Sequence, residues 1–121
     1  MTFEQLLEQI RNTPEQVQFK QVIACIEAHY NYTPQAFSNG EGEQRVHNAA
    51  GSNEGSCKIL AFAKLQGLDE AQTLACFGDF YRHDVLQHPN GSDHANIRNF
   101  MRSGWAGVQF EQMPLIEKPV N

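Results

Sequence analysis

Between Asn48 and Ala63 the chain passes from Asn-Ala-Ala-Gly-Ser-Asn-Glu-Gly-Ser-Cys-Lys directly into Ile-Leu-Ala-Phe-Ala. Five apolar residues in succession predict a buried helix, since no polar face is left to meet water. The polar, glycine-punctuated segment before them predicts a loop that opens this helix near Asn53 to Gly55. The helix then runs to Gln66, with Gly67 as its left-handed C-cap. A helix start carries N–H donors without intrahelical acceptors and a partial positive charge. It can therefore hold an anion or acidify a thiol. Any chemistry in this chain is expected there.

The length of 121 residues suits one domain, and 40% apolar content with eight phenylalanines is enough for a core without staples. The net charge of −5, with no cluster of Lys and Arg, argues against nucleic acid or an anionic membrane as the main partner. Three cysteines, Cys25, Cys57 and Cys76, cannot all pair within the chain, and two of them sit in apolar helical patterns. That usage fits a reducing compartment. There is no run of about 18 apolar residues and no basic leader. A cytoplasmic location is the expectation.

Helical spacing of Phe3, Leu6, Leu7 and Ile10, with Thr2 as N-cap, predicts a first helix ending at Asn12. Thr13-Pro14-Glu15-Gln16 reads as a restart, and Phe19, Val22, Ile23, Ile26 and Tyr30 predict one helix over 14–30. Thr33-Pro34 ends the helical pattern. Ala36 to Ser38 reads as extended, Asn39 to Gly42 as a turn, and Gln44 to His47 as the return strand. Asp69 and Gln72 form a capping box for a helix burying Ala71, Leu74, Ala75, Phe77, Tyr81 and Leu86, with Gly78 inside it under a close neighbour. Pro89-Asn90-Gly91 is a turn, and Ser92 or Asp93 caps a last helix with Ile97, Phe100 and Met101 inward. Trp105 to Phe110 alternates as a final strand, and the tail 113–121 reads as frayed. The result is an α+β fold: a mostly helical single domain of about five helices with a small antiparallel β element.

Cys57 is the sharpest chemical candidate, because a helix start and Lys58 both lower a thiol pKa. A nucleophilic cysteine needs a base, for which His94 is best placed, with Asp84, Asp93 or Asn96 behind it. The bland alternative is a small buried residue under the loop. The glycine loop can also cradle a phosphate or carboxylate, although its spacing is not that of a Walker motif and Glu54 opposes an anion. His83, Asp84, His88, Asp93 and His94 lie close together, with Asp79–His83 and Asp84–His88 one helical turn apart. None of this matches a zinc pattern, and no metal or other cofactor is expected. Arg82 and Arg98 read either as structural partners of carboxylates or as forks for an anionic ligand. Tyr30, Tyr32, Phe37, Trp105 and Phe110 are core and rim of the sheet, or a partner groove.

Asn48-Ala49-Ala50-Gly51-Ser52-Asn53-Glu54-Gly55-Ser56-Cys57-Lys58, then Thr73-Leu74 through Phe77-Gly78 and Tyr81-Arg82, then His94 with Asn96-Ile97-Arg98-Asn99-Phe100, resemble the HopJ type III effector family. The resemblance runs from about residue 19 to 110. It implies secretion through a type III system and a host protein as partner, and it brings no reaction, cofactor or catalytic residue with it. The chain departs from a serine-rich secretion signal: no serine precedes Ser38, and the start is an acidic amphipathic helix.

The leading expectation is a small-ligand or partner-binding domain. Its site is formed by Asn48, Gly51, Asn53, Glu54, Gly55, Ser56 and Lys58, with Arg82, Asn96 and Arg98, and its ligand is a small anion. The alternatives are a cysteine-dependent enzyme using Cys57 and His94, and a non-catalytic module that binds a host protein or its own copies.

Overall fold

The computed structural model describes residues 2–119. At its centre lies helix α3 (Glu54–Gln66), whose residues Ile59 through Ala63 are all fully buried. Full burial of each larger apolar side chain there contributes about 1.5–3 kcal/mol. Helix α3 packs on α2 (Phe19–His29), on α4 (Glu70–Ala75) and on the last strand, β5 (Leu115–Glu117). Helix α1 (Phe3–Asn12) sends Leu6 and Ile10 into the same core. Phe3 and Tyr30 meet the Phe62 ring edge-on, at 5.9 and 6.3 Å between centroids.

Two small antiparallel sheets flank the helices. Strand β1 (Tyr30–Tyr32) pairs with β5, Tyr30 opposite Glu117 and Tyr32 opposite Leu115. Strand β2 (Phe37–Asn39) is central in the other sheet, between β3 (Val46–Asn48) and β4 (Gln109–Phe110). Its register sets Phe37 opposite Asn48 and Ser38 opposite His47. The α+β architecture and its antiparallel β element agree with the sequence reading. So do Thr2 as N-cap, which the structure extends to a capping box with Gln5, the Asp69–Gln72 capping box and the left-handed Gly67. Among the described residues no helix is long and apolar enough to cross a membrane.

Four stretches differ from expectation. The helix predicted over 14–30 is a 3₁₀ turn, Pro14–Gln16, then extended Val17 and Gln18 ahead of α2. The break drives Val17 fully into the core and turns the Pro14 and Val17 carbonyls toward the Arg82 guanidinium, which donates to both. The helix predicted beyond Asp69 stops at Ala75, because Gly78 takes φ +60. A Cβ at Gly78 would lie 2.7 Å from the Phe19 backbone nitrogen, so the close neighbour is real but ends the helix. A π-helical turn, Phe80–Val85, follows and leaves Leu86 exposed.

The Trp105–Phe110 strand is mostly a 3₁₀ turn (Gly104–Gly107), with only Gln109 and Phe110 paired. Trp105 folds back because its Nε1 donates to the Leu68 carbonyl at 3.1 Å and its ring packs edge-on against Phe100. Within the tail 113–121, residues Leu115–Glu117 are not frayed but paired as β5, where Leu115 is buried. Residues 120 and 121 lie outside the described residues.

Candidate functional site

The loop after β3 reaches α3 through Asn53, whose backbone is left-handed at φ 49, ψ 48. Helix α5 (Ala95–Ser103) begins in the same way, at His94 with φ 51, ψ 50. These are the two non-glycine residues of positive φ among the described residues. Such a conformation costs a side-chain-bearing residue roughly 1–2 kcal/mol, so neighbouring contacts must hold it. Asn53 is held by its Nδ2, which donates to Asn48 Oδ1 at 2.7 Å. His94 Nε2 lies 3.0 Å from Asp84 Oδ2, and its ring faces Phe80 with centroids 5.3 Å apart. The expected caps Ser92 and Asp93 do not cap α5. Asp93 instead accepts from Arg98 Nη2 at 2.7 Å through its carboxylate, and from Arg98 Nε through its carbonyl.

A ladder of buried amides joins the two helix starts. Asn96, in the first turn of α5, donates to Asn48 Oδ1 at 3.0 Å and accepts from Asn48 Nδ2 at 3.2 Å. Asn39 Nδ2 donates to the Asn96 carbonyl at 2.8 Å and to its side-chain oxygen at 3.1 Å. Asn99 Nδ2 donates to the carbonyls of Asn39 and Gln44, and Arg102 donates to Asn99 Oδ1. Hydrogen bonds of this kind contribute about 1 kcal/mol each, and their loss inside the core costs more. The ladder therefore fastens α5 to the central strand and to the start of α3.

Between the two starts lies a cleft of about 200 Å³, lined by Asn53, Ser56, His94 and Asn96 over Val46 and Ile97. Neither helix has a side-chain cap, so the first-turn N–H groups of both lack the acceptor a cap supplies. Around one small polar space the chain sets two helix N-termini, an amide, a hydroxyl and an imidazole. A wider, open hollow of about 470 Å³ lies over the three-stranded sheet, where Arg45 Nη2 spans Ser38 Oγ and Gln109 Oε1 at 2.9 Å each.

The other residues singled out by sequence sit elsewhere. The Cys57 thiol is buried and points to the Gln35 carbonyl at 4.0 Å. Burial pushes its pKa up, against the expected acidification, and this outweighs the nearby Lys58. Its surroundings are Gln35 and Tyr32, whereas His94 is held by Asp84 and Phe80. Lys58 lies over the Tyr32 ring at 4.7 Å and 3.6 Å from Glu27. Arg82 is occupied by the Pro14 and Val17 carbonyls and by Asp79 at 3.7 Å. Arg98, almost fully buried, spans Asp93 and the His88 carbonyl. Arg98 is paired with a carboxylate, as in the structural alternative first weighed, whereas Arg82 is held chiefly by backbone carbonyls. The hydrogen bond from Arg98 holds the Asp93 carboxyl below its ordinary pKa. Gly51, exposed at φ +88, shapes the turn, and Glu54 is an exposed first-turn residue. Among the described residues no three His, Cys, Asp or Glu side chains converge to hold a metal ion.

Sequence reasoning missed Phe80, Asn39 and Asn99. A usable signal existed for Asn99: with Asn96 it places two amides, three residues apart, on a face that also carries Ile97 and Phe100. Polar residues on an apolar face imply internal partners.

A family model described as HopJ type III effector protein matches residues 3–115. A crystal structure described as that of the unknown function protein VPA0580 is similar, with a TM-score of 0.92 and 50% identity over 98% of this chain and 95% of that one. No curated protein matches the chain.

Proposed function

The chain belongs to the HopJ type III effector family, and from that premise we propose that it is a binding domain which holds a small anion between the starts of α3 and α5. The observation that carries this reading is the convergence of Asn53 and His94, the two left-handed non-glycine residues, on one cleft lined by Ser56 and Asn96. Each helix N-terminus contributes about 0.3–1 kcal/mol toward an anion, up to about 2 when partly buried. Direct N–H and hydroxyl hydrogen bonds to a charged ligand add about 1.5–3 kcal/mol each. Together these support a dissociation constant on the order of 1 mM or below for a bare phosphate, since 1 mM corresponds to about 4 kcal/mol.

Two carboxylates stand near His94, and each has a partner: Asp84 on the imidazole and Asp93 on Arg98. No carboxylate side chain is among the residues that line the cleft. Burial of Cys57 favours binding over thiolate catalysis. Titration of the ¹⁵N-labelled protein with inorganic phosphate, at constant ionic strength against chloride, tests the reading. Saturable shifts are expected in the amides of Glu54, Gly55, Ser56, Ala95, Asn96 and Ile97. No saturable shift there, or shifts centred on the hollow around Arg45, would remove it.

The family's description as effectors supports delivery of this chain through a type III system. A fusion to a translocation reporter, expressed in bacteria with and without that apparatus, tests it. Transfer that does not depend on the apparatus, or no transfer, counts against it.

A further inference from the structure

The hollow over the three-stranded sheet is lined by two opposite charges that do not pair with each other. Strand register sets His47, Ser38 and Gln109 in one row across β3, β2 and β4, so their side chains share a face of the sheet. Arg45 reaches over that row from the turn before β3, and its Nη2 donates to Ser38 Oγ and Gln109 Oε1 at 2.9 Å each. Bonds to two strands hold the guanidinium in place, but both acceptors are neutral. Among the described residues no carboxylate pairs with Arg45, and its Nε and Nη1 donate to no acceptor. Arg82 and Arg98 differ, since each spends its guanidinium on backbone carbonyls and an Asp carboxylate. Glu111, directly after β4, lines the same hollow, is exposed and has no cationic partner among the described residues.

We propose that this hollow binds a small zwitterion of the amino-acid class, with its carboxylate on Arg45 and its ammonium toward Glu111. A guanidinium that is already held loses little side-chain freedom when a ligand arrives. The hydrogen bonds left to its Nε and Nη1 would be charge-assisted, the stronger kind. A bare anion would meet Glu111 as a like charge, whereas a zwitterion satisfies both groups. The volume of about 470 Å³ falls within the range of small-molecule sites, and the small side chains of Ala36 and Ala49 leave room for a carbon skeleton. The hollow shares no lining residue with the cleft between α3 and α5, so the two sites stand or fall separately.

Titration of the ¹⁵N-labelled protein at constant ionic strength tests this with glycine, γ-aminobutyrate and glycylglycine, against acetate, methylammonium and inorganic phosphate. At least one zwitterion is expected to give saturable shifts in the amides of Ser38, His47, Gln109 and Glu111 and in the Arg45 Nε–H. The best of the three reports the charge separation, and so whether a free amino acid or a peptide end is preferred. An ion pair at an exposed site is worth up to about fivefold in affinity, so that zwitterion should exceed acetate by about two- to fivefold. Arg45→Gln is expected to abolish the shifts. Glu111→Gln should bring the zwitterion down to acetate and leave acetate no weaker. No saturable shift with any zwitterion, acetate or phosphate binding as tightly as all three, or a preference that survives Glu111→Gln would overturn the inference.

Discussion

Helices α1 and α4 begin in one way, and α3 and α5 in another. Thr2 and Asp69 each turn a side-chain oxygen onto a first-turn N–H, and Gln5 and Gln72 close the box from the other side. Asn53 and His94 do the opposite: their backbones are left-handed, and their side chains reach away from their own helices, to Asn48 and Asp84. Helix α2 follows neither pattern, since its start is covered by close packing of Gly78 on Phe19. The difference teaches where donors are consumed. A capping box satisfies them at the surface with local sequence. A left-handed start leaves them pointing into the space in front of the helix, and the buried amide ladder bears the cost of holding it so.

The comparison can be broken hardest at the ladder. Asn96→Ala removes the amide bonded to both Asn39 and Asn48. It is expected to cost about 2–3 kcal/mol in urea unfolding, with loss of phosphate binding. A cost near zero would mean that the ladder does not hold the two starts. Asp69→Ala attacks the other kind of start and is expected to cost about 1 kcal/mol while leaving the phosphate titration as it was. Reduced phosphate affinity there would erase the distinction between the two kinds of helix start.

Asn53→Gly tests strain directly. It gives up one hydrogen bond of about 1 kcal/mol and relieves a left-handed side chain of similar cost. Stability should therefore stay within about 1 kcal/mol of the parent while phosphate binding weakens. The smallest effects concern pH. The Cys57 thiol, raised by burial, should resist iodoacetamide at neutral pH in the native state and react on unfolding. Its lifted pKa adds stability that is complete below the ordinary thiol value and declines as pH rises through it. Asp93 has the opposite sign: its lowered pKa adds stability present above the ordinary carboxylate value and lost as pH falls through the lower folded one. Loosening of the 88–93 loop on acidification, followed through the Arg98 Nε–H resonance, is expected and should be absent in Asp93→Asn.

The buried helix 54–66 and its glycine stop were legible because five consecutive apolar residues and a terminal glycine are local signals. The Asp69–Gln72 capping box and the Thr2 N-cap were legible for the same reason, whereas Thr13, read as a cap in the same way, makes no capping bond. The break at Val17 was not, because it depends on a guanidinium 65 residues away in the chain. The candidate site was half legible. Residue types and helix-start physics pointed to the 48–58 loop and the start of the last helix, and of the residues named there Asn53, Ser56, His94 and Asn96 line one cleft. Lys58, Arg82 and Arg98 did not join it, since a sequence reveals a charge but not which carbonyl or carboxylate across the fold will occupy it. Cys57 was misjudged in one respect. Its place in the helix start was right, but the desolvation that raises its pKa comes from tertiary packing.

Strand β5 has a consequence for how the chain is made. Tyr30–Tyr32 leaves the ribosome well before the residues that pair with it, Leu115–Glu117. At about 5–20 residues per second, the first strand waits several seconds with an unpaired edge. A nascent chain in that interval is a natural client for a chaperone that binds extended segments. A translation product that stops short of Leu115 keeps that need permanently.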